Sequence, residues 1–190
     1  MQPSPGQNQS NKLAEVIIGD HREVEQMFQQ LETGVTDPDE RRKMVDRVIY
    51  ELARHSVAEE QLLYPMARRM LADGEEVADR ELAGHAAAER TMDALYGMPP
   101  TDPEFEPRLA ELMTEIRQHV QDEERTLLPR LAQAAGLDAT NNLGTAIAAA
   151  KKVAPTRPHP GAPDTPPANV MNSLAGLLDH LRDALSGRGR

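Results

Sequence analysis

The chain has 190 residues, which is enough for one domain and an appendage. It contains no cysteine, which excludes disulfides, thiolate catalysis and cysteine-ligated iron–sulfur clusters. Its net charge of −10 opposes contact with a phosphate backbone, so nucleic acid is not an expected partner. Aromatic residues make up only 3%, while alanine, leucine, glutamate and arginine are plentiful, so helix is favoured over sheet.

Four amphipathic helices are predicted, separated by short breaks. Asp37 and Pro38 form a start signal for the second helix, and Gly136 ends the fourth. Long helices joined by short connections are typical of an all-α, antiparallel, up-down-up-down four-helix bundle, here over residues 11–135. In chain order the predicted helices span residues 11–31, 38–71, 75–96 and 102–135.

The flanking segments differ from the bundle in composition. Residues 1–10 are predicted to form a disordered N-terminal tail, without the charge and apolar run of a signal peptide. No apolar run is long enough to span a membrane, so a cytoplasmic location is expected. Beyond the bundle we predict an Ala-rich short helix at 136–153, a Pro-rich linker at 154–168 and a C-terminal amphipathic helix at 169–190. The apolar stripe of residues 169–185 predicts self-docking on the bundle or a protein partner.

Four histidines carry the functional signal. Each lies on the apolar face of a different predicted helix, and each is followed four residues later by a glutamate on the same face. The first two histidines are 34 residues apart, as are the last two, and the two halves are offset by 64 residues, which indicates a duplicated helical hairpin. The pairs are His21 with Glu25, His55 with Glu59, His85 with Glu89, and His119 with Glu123.

Several imidazoles and carboxylates at one level of a bundle core would be destabilising without a cation. Imidazole and carboxylate together suit iron, manganese or zinc, and carboxylates from facing helices can bridge two metal ions. The sequence therefore predicts a metal site made by the four helices together. His159, in the Pro-rich linker, and His180, near the end of the last helix, are interpreted as solvated side chains and not as ligands.

This order of residues resembles the H…HxxxE…H…HxxxE signature of hemerythrin-like (HHE cation-binding) domains, over residues 11–135. The resemblance implies a four-helix bundle with two iron ions joined by an oxo or hydroxo bridge. Residue by residue, it implies that Glu59 and Glu123 bridge the irons, that His21 and His55 serve one iron, and that His85 and His119 serve the other.

One position departs from the oxygen-carrying hemerythrins, which have a further histidine where this chain has Glu89. More oxygen ligands favour ferric iron, so redox or peroxide chemistry is expected rather than simple reversible O₂ carriage. Glu25 and Glu89 are candidate additional ligands. Tyr64 is another, because it stands where the second half has Leu128, although ideal helix angles favour a merely buried tyrosine there.

The leading functional prediction is a non-haem di-iron protein that binds or reduces a small oxidant, namely O₂, hydrogen peroxide or nitric oxide, in oxidative or nitrosative stress. Catalase-like or peroxidase-like activity is compatible with this, and no acid–base residue separate from the metal site is recognised. The alternatives are an iron or oxygen sensor without turnover, signalling through its C-terminal segment, and a purely structural bundle. The apolar residues expected to line a pocket for a diatomic ligand are Val24, Phe28, Leu62 and Met92.

Overall fold

The computed structural model describes residues 11–154, which are helical apart from short connections and contain no strand. The prediction of an all-α bundle is confirmed. The predicted tail at 1–10, nearly all of the Pro-rich linker and the C-terminal helix at 169–190 lie outside these residues. The helices are α1 (Lys12–Thr33), α2 (Pro38–Ala58), α3 (Tyr64–Met70), α4 (Gly74–Leu95), α5 (Phe105–Asp122), α6 (Leu128–Ala135) and α7 (Leu137–Ala150).

The first two helices begin at side-chain caps that the sequence supplies. Asn11 accepts hydrogen bonds from the backbone N–H groups of Leu13 and Ala14. Asp37 accepts one from Glu40 N at 3.0 Å, and Pro38 occupies the first helical turn, as the start signal predicted. These bonds satisfy N–H groups that have no partner within the helix, and so they fix where the helices begin.

Two π-helical turns, Glu59–Leu63 and Glu123–Leu127, join α2 to α3 and α5 to α6. In each turn a backbone N–H bonds to the carbonyl five residues earlier, so one extra residue enters the helix. A proline, Pro65 or Pro129, follows each turn and cannot donate to the regular ladder. Each turn begins at a predicted bridging glutamate, so the residues beyond it are rotated relative to an ideal helix.

The core of the bundle consists of two apolar clusters with a polar layer between them. One cluster fills the end near the α1–α2 and α4–α5 connections and includes Phe28, Ile49 and Phe105. The other lies at the α3–α4 and α6–α7 end and includes Leu63 and Leu131. Five of the six residues of the predicted signature are buried in the polar layer, namely His21, His55, Glu59, His85 and Glu123. The apolar clusters exclude water from both sides of this layer.

A fifth helix, α7, packs along α1 and closes the second cluster. Ile147 is fully buried, and Asn141 Oδ1 accepts a 2.8 Å hydrogen bond from Lys12 N. At Gly144 the two helices are so close that a Cβ atom would lie 2.5 Å from Leu13 N. Within residues 11–154, no helix combines the length and the apolar character that crossing a membrane requires.

We expect Gly144→Ala to lower the free energy of unfolding by about 1–3 kcal/mol, because its methyl group would meet backbone atoms of α1 that cannot move independently. Gly19→Ala is the control, since Gly19 lies within α1 with nothing within 4 Å of its built Cβ. That change should stabilise the helix by about 0.5–1 kcal/mol. Chemical denaturation of both variants measures the difference, and equal effects would contradict the close contact.

Candidate metal centre

The structure brings all six residues of the predicted signature together in the polar layer. Their ligand atoms form two groups, and the atoms in each group lie within 4.8 Å of one another. One group consists of His21, His55, Glu59 and Glu123, and the other consists of Glu59, His85 and His119. Glu59 belongs to both, so one carboxylate faces two adjacent positions for a cation.

Distances inside the layer are those of side chains that point at a common centre. His55 Nε2 lies 3.0 Å from one oxygen of Glu59, and His85 Nε2 lies 3.5 Å from the other. His21 Nε2 and His119 Nε2 lie 3.5 and 3.8 Å from Glu123 Oε2. The Nε2 atoms of His85 and His119 are 3.2 Å apart. Each half of the bundle therefore contributes two imidazoles and one carboxylate.

Within residues 11–154, four buried polar atoms of the layer have no neighbour in hydrogen-bonding geometry, although His55 Nε2 lies 3.0 Å from Glu59 Oε1. They are His21 Nε2, His55 Nε2, Glu59 Oε1 and Glu123 Oε2. An unpartnered buried polar atom costs about 1–3 kcal/mol, so four at one point need a compensating interaction. All four belong to the first ligand group, and nitrogen and oxygen donors of this kind fit iron, manganese or zinc. The residues present therefore fit a bound cation.

Each histidine also has a carboxylate at its other ring nitrogen. The Nδ1-to-oxygen distances are 3.0 Å from His21 to Glu124, 3.2 Å from His55 to Asp20, 2.9 Å from His85 to Glu60 and 3.4 Å from His119 to Glu81. A carboxylate at Nδ1 favours a proton on that nitrogen and leaves the Nε2 lone pair facing the centre. The four rings are thus oriented as ligands.

The sequence analysis missed these four orienting carboxylates. Glu60 and Glu124 could have been found, because each directly follows a signature glutamate in both copies of the repeat. The other pair breaks the repeat: the residue 64 positions after Asp20 is Gly84, which has no side chain to offer. A Cβ built at Gly84 would lie 3.8 Å from His119 Nδ1, and Glu81 supplies the carboxylate from one turn earlier.

Tyr64 lies at the centre, contrary to the favoured expectation of a merely buried tyrosine. Its hydroxyl is 2.9 Å from His85 Nε2, and 3.2 and 3.5 Å from oxygens of Glu123 and Glu59. The π-helical turn before it explains the difference, because the extra residue rotates Tyr64 inward. Burial, and then the charges of Glu123 and Glu59, hold the pKa of Tyr64 well above its usual value, so without a bound metal ion it donates as a neutral phenol.

The other two candidate ligands are not among the groups whose ligand atoms converge in the described part of the chain. Glu25 binds the guanidinium of Arg117 with its two oxygens, at 2.9 and 3.0 Å, and its side chain is 38% exposed. Glu89 is half-buried and belongs to neither ligand group. Sharing a helical face with a histidine therefore did not bring these glutamates to the centre.

A narrow cavity leads to the four imidazoles. The volume of this cavity is about 20 Å³, which is room for very few atoms. Val24 lines it as expected, but Phe28, Leu62 and Met92 do not. The other apolar lining residues are Leu52, Ile116 and Val120, and the charged ones are Asp20, Glu23, Glu51 and Lys151.

A helical bundle with a buried cluster of histidines and glutamates is typical of proteins that bind metal ions in the core of the bundle. The family described as "Hemerythrin HHE cation binding domain" matches residues 12–131, and the chain belongs to this family. The predicted resemblance is thereby confirmed.

Two curated relatives extend the comparison. An uncharacterised hemerythrin-like protein of Schizosaccharomyces pombe is 29% identical over 92% of this chain and 86% of its own length. A DNA nickase of Nostoc is 28% identical over 75% of this chain but only 40% of its own length. No solved structure matches the chain.

The pKa values of two histidines predict how a chelator-treated, metal-free protein responds to pH. Burial opposes their charged forms, but Glu59 and Asp20 raise the pKa of His55 to about 9. Glu59 and Glu60 likewise raise the pKa of His85 to about 10. Both pKa values lie above the unfolded value of about 6.5, so this stabilisation is complete below pH 6.5 and is lost as pH rises through 9 to 10.

We therefore expect the melting temperature of the metal-free protein to fall between pH 7 and pH 10. Metal binding at pH 7 must displace the protons on His55 and His85, so metal affinity should rise with pH and protons should be released. Calorimetry in buffers of different ionisation enthalpy counts those protons. A metal affinity independent of pH between 6 and 8 would contradict the assignment.

Proposed function

We propose that this protein is a non-haem di-iron protein that binds or reduces a small oxidant: O₂, hydrogen peroxide or nitric oxide. The observation that carries the proposal is the set of buried, unpartnered nitrogen and oxygen atoms that converge beside Glu59. Membership of a cation-binding family supports metal at this place. Iron is favoured over softer metals because all donors are imidazole and oxygen.

Each half of the centre would hold one ion. His21 and His55 would serve the first, His85 and His119 the second, and Glu59 and Glu123 would bridge them. The position of Glu59 in both ligand groups supports its bridging role. The hydroxyl of Tyr64 lies on the His85 side, so a phenolate would make that ion the more anionic and more readily ferric of the two.

The chain's own residues would control what reaches the metal ions. A cavity of about 20 Å³ would suit a diatomic molecule or a peroxide better than an organic substrate of ordinary size. Val24, Leu52 and Ile116 are among its apolar lining residues, and such residues suit an uncharged ligand. The bound iron pair would supply the electrons for oxidant chemistry, and the two apolar clusters would keep bulk water away.

The first experiment is metal analysis with an ultraviolet–visible spectrum of protein grown with iron and purified in air. Two irons per chain with near-ultraviolet oxo-to-iron bands are expected. Less than one bound metal of any kind per chain, in protein supplied with iron, manganese or zinc, would overturn the proposal.

Two matched variants test the ligand set. Glu59→Gln should reduce the iron content to one ion or fewer and lower the melting temperature of the metal-loaded protein, because it removes the carboxylate shared by both positions. Glu25→Gln is the control, since Glu25 pairs with Arg117 at a partly exposed site, and it should keep two irons. Metal analysis and thermal melting measure both effects, and equal iron content in the two variants would count against Glu59.

Tyr64→Phe tests the phenolate. If Tyr64 ligates ferric iron, the aerobically purified protein shows a visible tyrosinate-to-iron charge-transfer band, which this variant loses while keeping both irons. Tyr50→Phe should retain the band, because Tyr50 packs against the guanidinium of Arg54 and belongs to neither ligand group. Unchanged visible spectra in Tyr64→Phe would leave Tyr64 as a hydrogen-bond donor only.

The alternative function, an iron or oxygen sensor without turnover, shares the same centre and differs in its response. An enzyme, whether catalase-like or peroxidase-like, should convert hydrogen peroxide or nitric oxide many times per centre. A sensor should show little turnover, but metal removal should shift the melting temperature strongly or change the proteolysis of residues 152–190. Consumption of hydrogen peroxide, alone or with an added electron donor, and of nitric oxide with an added electron donor measures turnover, and limited proteolysis of loaded and chelated protein measures the sensor response.

A further inference from the structure

The end of α7 lies against α2, and Lys151, the residue after α7, lines the cavity. The carbonyl of Lys151 accepts a 2.7 Å hydrogen bond from Nε of Arg54, the residue before His55. Arg54 is itself held, since its guanidinium stacks 5.0 Å from the ring of Tyr50 and lies 3.5 Å from Glu51. The residue that follows the last full turn of α7 is thus fixed beside a histidine of the centre.

The side chain of Lys151 reaches back toward that histidine. Its ammonium lies 2.6 Å from one oxygen of Asp20, and the other oxygen of Asp20 lies 3.2 Å from Nδ1 of His55. The Lys151 side chain is only 13% exposed. An aspartate with both oxygens engaged cannot turn into solvent without breaking one contact, so Lys151 restrains the carboxylate that orients His55.

In the half of the bundle that contains His119, the orienting carboxylate has a different cationic partner. Glu81, which orients His119, meets the guanidinium of Arg80, its neighbour on the same helix, and that side chain is 49% exposed. Glu81 is buried, but Arg80 is half-exposed, so water screens and weakens this ion pair. The buried cation from outside the four helices is therefore a feature of the His55 half, where Asp20 stands in place of Gly84.

We infer that Lys151 is a positioning residue of the metal centre: through Asp20 it fixes the imidazole of His55 and strengthens metal binding on the His21 and His55 side. This inference rests on the proposed function, because it assigns the effect to one of two ions. It also makes α7 part of the centre rather than a mere cover of the core. Orienting partners of metal-bound histidines typically change metal affinity roughly 10- to 100-fold.

The test uses the full chain, cobalt(II) as the probe and competition with a chelator. Lys151→Met keeps the side-chain length and removes the charge. It should lower the affinity for one of the two cobalt(II) ions roughly 10- to 100-fold and leave the affinity for the other unchanged. Lys151→Arg should keep most of the cobalt(II) affinity of the unaltered protein, since a guanidinium can still bind Asp20. Lys152→Met, which removes an exposed positive charge from the next residue, should behave as the unaltered protein.

A second measurement needs no metal. In the metal-free protein, the Nδ1 proton of His55, assigned by its loss in His55→Gln, should exchange with water faster in Lys151→Met than in Lys152→Met. Equal exchange and equal cobalt affinity in these two variants would overturn the inference. The inference would also be overturned if Lys151→Met lowered the affinity for both cobalt(II) ions equally and lowered the melting temperature. Lys151 would then only hold α7 in place. If the unaltered protein does not bind two cobalt ions, the di-metal proposal fails, and proton exchange still decides the role of Lys151.

Discussion

The structure depends on one constraint: a layer of imidazoles and carboxylates buried between two apolar clusters. Burying such a layer costs free energy unless a proton or a cation interacts with its nitrogen and oxygen atoms. Without metal, protons on His55 and His85 supply part of that charge, which is why their pKa values rise. A bound cation would satisfy the same atoms more completely. Stability, metal binding and pH response are therefore aspects of a single interaction.

The two π-helical turns show how a regular bundle was adapted to hold this layer. Each begins at a glutamate of the centre and is followed by a proline, so the same local distortion occurs twice in the duplicated hairpin. The copies then diverge. Tyr64 reaches the centre in one half, whereas the equivalent Leu128 is part of an apolar cluster in the other. The two proposed metal positions are consequently inequivalent although their histidines are related by the sequence repeat.

Most of the centre could be predicted from the sequence, because its six signature residues occupy inward positions of four helices and repeat at equal spacing. The orienting carboxylates were harder to predict. Glu60 and Glu124 repeat, but Asp20 and Glu81 come from different turns of their helices and act across the bundle. Contacts between helices depend on rotation and crossing angle, which helical periodicity does not specify. The same reason explains why Glu25 turned to Arg117.

The amino-acid sequence by itself determined the helices, the start signal at Asp37 and Pro38, the duplicated hairpin and the histidines and glutamates of the layer, because these follow from local propensity and periodic burial. Only the tertiary structure decided which residues meet. Extra residues in the π-helical turns moved Tyr64 inward, and close packing of Gly144 on α1 carried Lys151 to Asp20. Both outcomes depend on backbone distortion and on approach between distant segments, and a single sequence records neither in its hydrophobic pattern.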